Sequence, residues 1–241
     1  MIKLEHGVFA SPEQLEFIIE GMRNPMNSWN KIDSELHKEV ELDLTPSFYL
    51  GDNDKALMRK LAKAGTDHRK FMRMMPVYVR ITAPLYWWKE FDTYKVGTIA
   101  NSCSTMHKIA DKEFTLDDFS HDHLVCISTL DYVVQELNCW RSRYIQYDED
   151  PTVGENLKMS KKDIWWQMIQ LLPSSYNQTR NVMLNYEVLA NIYHSRKNHK
   201  LDEWRQFCKW IEEKVPYSWL ITEIDKEGYK IIADNKVYLK C

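Results

Sequence analysis

Asn185, Asn191 and Arg196 are polar residues spaced along a run from Tyr176 to Arg196 that reads as one long helix. At about 100° per residue, Asn185 and Arg196 lie within about 20° of each other around the helix axis. A carboxamide offers a donor and an acceptor together, and a guanidinium offers a fork of donors. Such a pair suits a base edge with a phosphate or carbonyl oxygen. The same residues equally suit the solvent face of an amphipathic helix. A second concentration of chemistry lies in Ala83–Ser104, A-P-L-Y-W-W-K-E-F-D-T-Y-K-V-G-T-I-A-N-S-C-S. Tyr86, Trp87 and Trp88 are followed by Lys89, Glu90 and Asp92, and then by a loop of small hydrogen-bonding side chains. This order points to a polar group bound where the helix ends.

Other candidates have plainer readings. His121-Asp122-His123 brings two imidazoles without a third ligand, as a surface loop does. Asp67-His68-Arg69-Lys70 suits an anion or acid-base chemistry, and equally an exposed polar turn. Cys103 stands between two serines with no His-Asp partner pattern, so a small packed thiol competes with a nucleophile. With only 7 glycines and neither G-x-G-x-x-G nor G-x-x-x-x-G-K-[ST], any phosphate must be held by side chains or helix ends. No metal site is expected.

The 241 residues, 44% of them hydrophobic, suffice for one domain with a substantial core. A formal net charge of -3 lacks the basic surface of a duplex nucleic acid binder. The 5 cysteines form no C-x-x-C pair, which argues against a disulfide framework or structural zinc. No basic segment leads into an apolar one at the start, and no run of about 18 apolar residues occurs. The expectation is a soluble, cytoplasmic chain with no membrane partner.

The elements that must position these residues are mostly helices. Ser11-Pro12-Glu13-Gln14 reads as a capping box opening a helix to Arg23, and Asn53 or Asp54 starts another that stops at Gly65. Val77, Val79 and Ile81 alternate with Tyr78, Arg80 and Thr82 as in a strand, which Pro76 would place at a sheet edge. Helices follow from Pro84, over His123–Arg143, from a Ser160 cap to Pro173, over Tyr176–Arg196 and over Asp202–Lys214. Trp219–Ile224, Tyr229–Ala233 and Lys236–Leu239 are strand-like. The expected domains are a main body over residues 1–220 and a β-strand tail over 221–241. Tyr86, Trp87 and Trp88 offer more apolar surface than one helix face buries, which predicts a homo-oligomer.

The segment A-P-L-Y-W-W-K-E-F-D-T-Y-K…N-S-C-S-T-M-H resembles the signature region of the flavin-dependent thymidylate synthases. There an apolar-Pro-aromatic start leads to Arg-His-Arg and then to Asn-Glu-x-Ser-x-Arg-Tyr. L-L-P at 171–173 followed by Asn185, Asn191 and Arg196 is similar to the family's later pattern, and the likeness covers roughly residues 8 to 220. It implies an α+β, helix-rich thymidylate synthase-like fold with a small C-terminal β appendage. It also implies a homotetramer with active sites between subunits, where FAD lies over dUMP and methylenetetrahydrofolate supplies the methyl carbon. Carried over, Arg196 is the catalytic arginine on the uracil base. Thr93, Tyr94, Lys95, Asn185 and Asn191 serve the flavin, and Glu90, Asn101, Ser102 and Ser104 join Arg196 at the nucleotide.

Several family positions are occupied differently. Arg-His-Arg falls on Thr93-Tyr94-Lys95, and the Glu, Arg and Tyr of the second motif fall on Ser102, Met106 and His107. Ile169 and Glu187 stand where the family has arginines. Each lost charge-assisted bond to phosphate removes about 1.5 to 3 kcal/mol, for which Arg80, Lys89, Lys95 and Lys108 are candidate replacements. Three readings follow: reductive methylation of dUMP or a related pyrimidine nucleotide; a nucleotide-binding or regulatory protein without flavin chemistry; and an oligomeric interaction or structural protein.

Overall fold

The computed structural model describes residues 1–37, 46–150 and 152–224. Eleven helices and six strands follow in the order β1(Lys3–Phe9), α1(Pro12–Arg23), β2(Glu35–His37), β3(Ser47–Tyr49), α2(Asp52–Lys63), α3(Lys70–Met74), β4(Pro76–Pro84), α4(Leu85–Phe91), β5(Ile99–Ser102), α5(Thr105–Lys108), α6(Ile127–Glu149), α7(Thr152–Leu157), α8(Lys161–Leu171), β6(Asn177–Asn185), α9(Tyr186–Arg196), α10(Asp202–Lys214) and α11(Trp219–Thr222) among the described residues. Four strands pair in the order β1-β4-β6-β5, and β2 pairs antiparallel with β3. The chain forms two compact units: one of Met1–Lys3, Ile81–Thr93 and Asn101–Arg180, the other of Leu4–Arg80, Tyr94–Ala100 and Asn181 onward.

In the first unit, α6 packs on α8 around Leu130, Val134, Leu137 and Met168, with Phe114 and Phe119 completing the cluster. Ser160 opens α8 through the expected capping box. A second apolar centre lies on α4. Trp87 stacks on Phe91 at 5.0 Å and meets Trp88 edge-on at 4.9 Å, and both indoles are buried. The Trp88 indole N–H donates to the Gln178 carbonyl at 2.9 Å. The indole pair thus spends its apolar surface inside this unit, which removes it as an argument for oligomer formation.

The second unit is built on α9, α10 and α11, where Leu189, Ile192, Trp204, Phe207, Ile211 and Ile221 are buried. Ser11 caps α1 through the expected capping box, whereas α2 is capped from a distance. The Asp33 carboxylate accepts the N–H groups of Asn53 at 2.7 Å and Asp54 at 2.9 Å. Asp54 then accepts Arg23 Nε at 2.6 Å on one oxygen, and the Ser34 hydroxyl and N–H on the other. Both members of this ion pair are buried, so its charges are compensated inside the unit.

Three expectations are corrected, and one strand is added. The predicted helix Tyr176–Arg196 is a strand, β6, followed by a helix, α9. Val182 and Leu184 bury on alternate positions, and Asn185 turns the chain by accepting the Val188 N–H on its side chain at 3.0 Å. Asn185 and Arg196 therefore share no helix face. β4 has neighbours on both sides, because Pro76 is its first residue and its missing N–H is not required there. β1 went unpredicted, since K-L-E-H-G-V-F lacks clean alternation. Trp219–Ile224 is not a strand: α11 forms over Trp219–Thr222 and buries Leu220 and Ile221. The expected strands at 229–233 and 236–239 lie outside the described residues.

Asp54→Ala leaves Arg23 buried without its partner and is expected to lower stability by about 3 to 5 kcal/mol in urea unfolding. The Cys208 thiol is pushed up to about 12 by burial and the nearby Glu212 carboxylate, whereas Cys103, Cys126 and Cys139 are exposed. Ellman titration of a Cys241→Ser variant is expected to label those three in the native state and Cys208 only after unfolding.

Candidate functional site

The expected site residues divide between the two units. In the first, α4 ends at Phe91, and Thr93 closes the turn by donating its N–H and hydroxyl to the Glu90 carbonyl, the latter at 2.7 Å. Asn101, Ser102, Cys103 and Ser104 are all exposed along β5 and the approach to α5. The Cys103 N–H donates to the Thr179 carbonyl at 3.0 Å, which aligns this segment on β6.

Arg180 on β6, which the sequence reading passed over, organises this polar strip. Its Nη1 donates to Asp92 at 2.7 Å, its Nε donates to Gln178 Oε1 at 2.9 Å, and its guanidinium lies 4.1 Å from the Trp88 ring centroid. Gln178 continues the chain by donating to the Thr105 hydroxyl at 2.9 Å. A cation thus stands beside Asp92 and Thr93, supplied by a strand distant in sequence. Its signal was present as an arginine within a polar run, but it was hidden by the helical reading of residues 176–185.

In the second unit, the loop Tyr94–Thr98 meets α9 and α10. Arg196 Nε donates to Tyr94 Oη at 3.0 Å. The same guanidinium lies 5.8 Å from the Tyr94 ring centroid and 5.0 Å from that of Trp204, within cation–π range. Tyr94 and Trp204 meet edge-on at 6.0 Å. Gly97 has φ +77°, and a Cβ there would stand 2.7 Å from Asn185 Nδ2. Only glycine satisfies both the left-handed backbone and the close approach. Lys95 and Asn191 are exposed, and Asn191 lies on α9 rather than beside Asn185.

Glu187 lies at the other side of α9's start. Its carboxylate pairs with Arg73 Nε at 3.0 Å, and its side chain is only 12% exposed. Burial raises its pKa, opposed by the charges of Arg73 and Arg69. In the Asp67-His68-Arg69-Lys70 motif, Asp67, His68 and Lys70 are exposed with Asp67 and His68 in a turn, as the polar-turn reading expects, whereas the Arg69 side chain is buried. This part of the chain supplies the positive charge that Glu187 answers. His121 directs Nδ1 to the Phe119 carbonyl at 2.9 Å, and no cluster of three or more metal-ligating side chains occurs among the described residues.

No family model and no curated protein matches this chain. Solved structures do. A flavin-dependent thymidylate synthase from Helicobacter pylori complexed with FAD and dUMP superposes with a TM-score of 0.62 at 13% identity, covering 92% of this chain and 98% of that one. A second crystal structure of that enzyme, also with FAD and dUMP, gives 0.62 at 12% identity over 93% and 98%. A UMP/dUMP methylase from Streptomyces cacaoi bound with 5-Br dUMP gives 0.52 at 12% identity over 96% and 94%. The α+β fold expected from the sequence is thus the fold of the flavin-dependent thymidylate synthases, spanning nearly the whole chain. At this identity the likeness is one of fold. Among the described residues, no helix is long and apolar enough to cross a membrane.

Glu187→Arg sets three cations together and is expected to destabilise the protein by about 2 kcal/mol. Adding Arg73→Glu should recover most of that loss in a double-mutant cycle read by thermal unfolding.

Proposed function

We propose that this chain binds a pyrimidine mononucleotide of the dUMP kind, with Arg196 holding the base. The carrying observation is Arg196 itself. It closes α9 in a fold shared with enzymes solved with dUMP or 5-Br dUMP, and it lies against the aromatic rings of Tyr94 and Trp204. A guanidinium beside flat aromatic surface suits a planar ring bearing carbonyl oxygens, because the rings favour stacking and the N–H fork favours acceptors. Glu90, Asn101, Ser102 and Ser104, which the resemblance assigns to a nucleotide, lie in the first unit, and Asn101, Ser102 and Ser104 are exposed there.

The flavin is a separate question of fit. A flavin dinucleotide brings a doubly charged diphosphate, which calls for cations or free amide donors. Of the residues assigned to it, the Thr93 hydroxyl donates to the Glu90 carbonyl, Tyr94 bonds Arg196, and the Asn185 carbonyl oxygen caps α9. Glu187 is acidic and pairs with Arg73. Lys95 is the single cation among Thr93, Tyr94, Lys95, Asn185 and Asn191. This donor set does not make a diphosphate cradle, and no step through a flavin follows from it. A second reading keeps the chemistry of the structural neighbours: reductive methylation of the nucleotide with FAD and methylenetetrahydrofolate, in a cytoplasmic homotetramer whose other subunits supply the missing donors. The breadth of the fold likeness favours it.

Calorimetric titration with dUMP is expected to show saturable binding that Arg196→Ala weakens by about 10- to 100-fold, the equivalent of one charge-assisted hydrogen bond. Unchanged affinity in that variant excludes Arg196 as the base contact. On the first reading the purified protein is colourless. A bound-flavin absorbance band would decide for the second.

A further inference from the structure

Tyr94 stands where a cation would repel Arg196, and its phenol instead accepts from Arg196 Nε at 3.0 Å. We propose that the Tyr94 hydroxyl is a built-in competitor for the pyrimidine base: it occupies on Arg196 the donor that a ring carbonyl of the nucleotide would take, so the base binds by displacing it. The proposal rests on the assignment of Arg196 to the base and names what regulates that contact.

The chemistry is that of like for like. A phenol oxygen and a uracil carbonyl oxygen are both neutral acceptors, and one N–H directed at one of them is withdrawn from the other. The phenol ring also covers the guanidinium, 5.8 Å from ring centroid to guanidinium carbon, while Trp204 lies 5.0 Å away. Displacing Tyr94 would leave the Trp204 contact in place, so the cation keeps one aromatic neighbour throughout.

The loop is built to allow the exchange. Tyr94–Thr98, the segment ahead of β5, carries Val96 at 90% exposure, so this apolar side chain holds it down weakly. Its close approach to α9 is at Gly97, where the backbone takes φ +77° against Asn185. A segment with few buried apolar contacts opens at low cost, and Gly97, three residues beyond Tyr94, is a pivot with unusual backbone freedom.

The test is calorimetric titration of dUMP into the wild-type chain and into Tyr94→Phe, which removes the hydroxyl and keeps the ring against Trp204. The dissociation constant is expected to fall about fivefold in the variant, the worth of one net hydrogen bond. Binding detectable only in the variant supports the proposal in the same sense. An equal or weaker affinity in Tyr94→Phe, with wild-type binding intact, overturns it and makes Tyr94 a residue that positions Arg196. If neither protein binds dUMP, the assignment of Arg196 to the base falls, and the competitor with it. A measurement on the wild type alone guards against a misfolded variant. In protein labelled with ¹³C at the tyrosine rings, saturating dUMP should shift the Tyr94 resonance, and a bound complex in which that resonance does not move overturns the displacement.

Discussion

The carboxamide of Asn185 is the small contact on which the arrangement of the second unit depends. Its oxygen accepts the Val188 N–H and ends β6, and its nitrogen faces Gly97 across a gap that admits no Cβ. One side chain thus turns strand into helix and meets the Tyr94–Thr98 loop at Gly97. Arg196 closes α9 about three turns further on, where it meets Tyr94 and Trp204. A carboxamide does this because it carries an acceptor and donors on one rigid plane.

Charge in the protein is redistributed rather than simply lost. Glu187, at a position where the resembling family carries an arginine, is met by Arg73 with Arg69 nearby, so a reversal on α9 is answered by α3 and the segment before it. The polar strip after α4 receives Arg180 from β6, braced by Asp92, Gln178 and the Trp88 ring. Glu187 takes up the charge of Arg73 and Asp92 that of Arg180, so neither of these two guanidinium groups is a bare cation. The fold is one in which FAD and dUMP are found bound together in a structural neighbour.

Strong local signals were legible. The capping boxes at Ser11 and Ser160, the alternation of Val77, Val79 and Ile81 in β4, and the bounds of α10 all read directly, because each is decided by residues a few positions apart. The errors have a common form. Apolar spacing in α9 was extended backwards over β6, and Trp219–Ile224 was taken for a strand although Leu220 and Ile221 bury on a short helix. Short apolar runs fit either period, and packing chooses between them. Tyr86, Trp87 and Trp88 offer more apolar surface than one face of an isolated helix buries; in the fold, Trp87 stacks on Phe91, Trp88 reaches the Gln178 carbonyl of β6, and both indoles are buried.

The amino-acid sequence by itself determined the class of fold and the caps of α1 and α8, and it placed Arg196, Asn185 and Tyr94 within the family-like motifs. These are matters of local preference and of motif, carried by neighbours along the chain. Only the tertiary structure decided what those residues do to one another. The hydrogen bond from Arg196 to Tyr94 spans 102 positions, and the one from Arg180 to Asp92 spans 88. No periodicity reports contacts at such separations, because they form only when strands and helices far apart in sequence pack together.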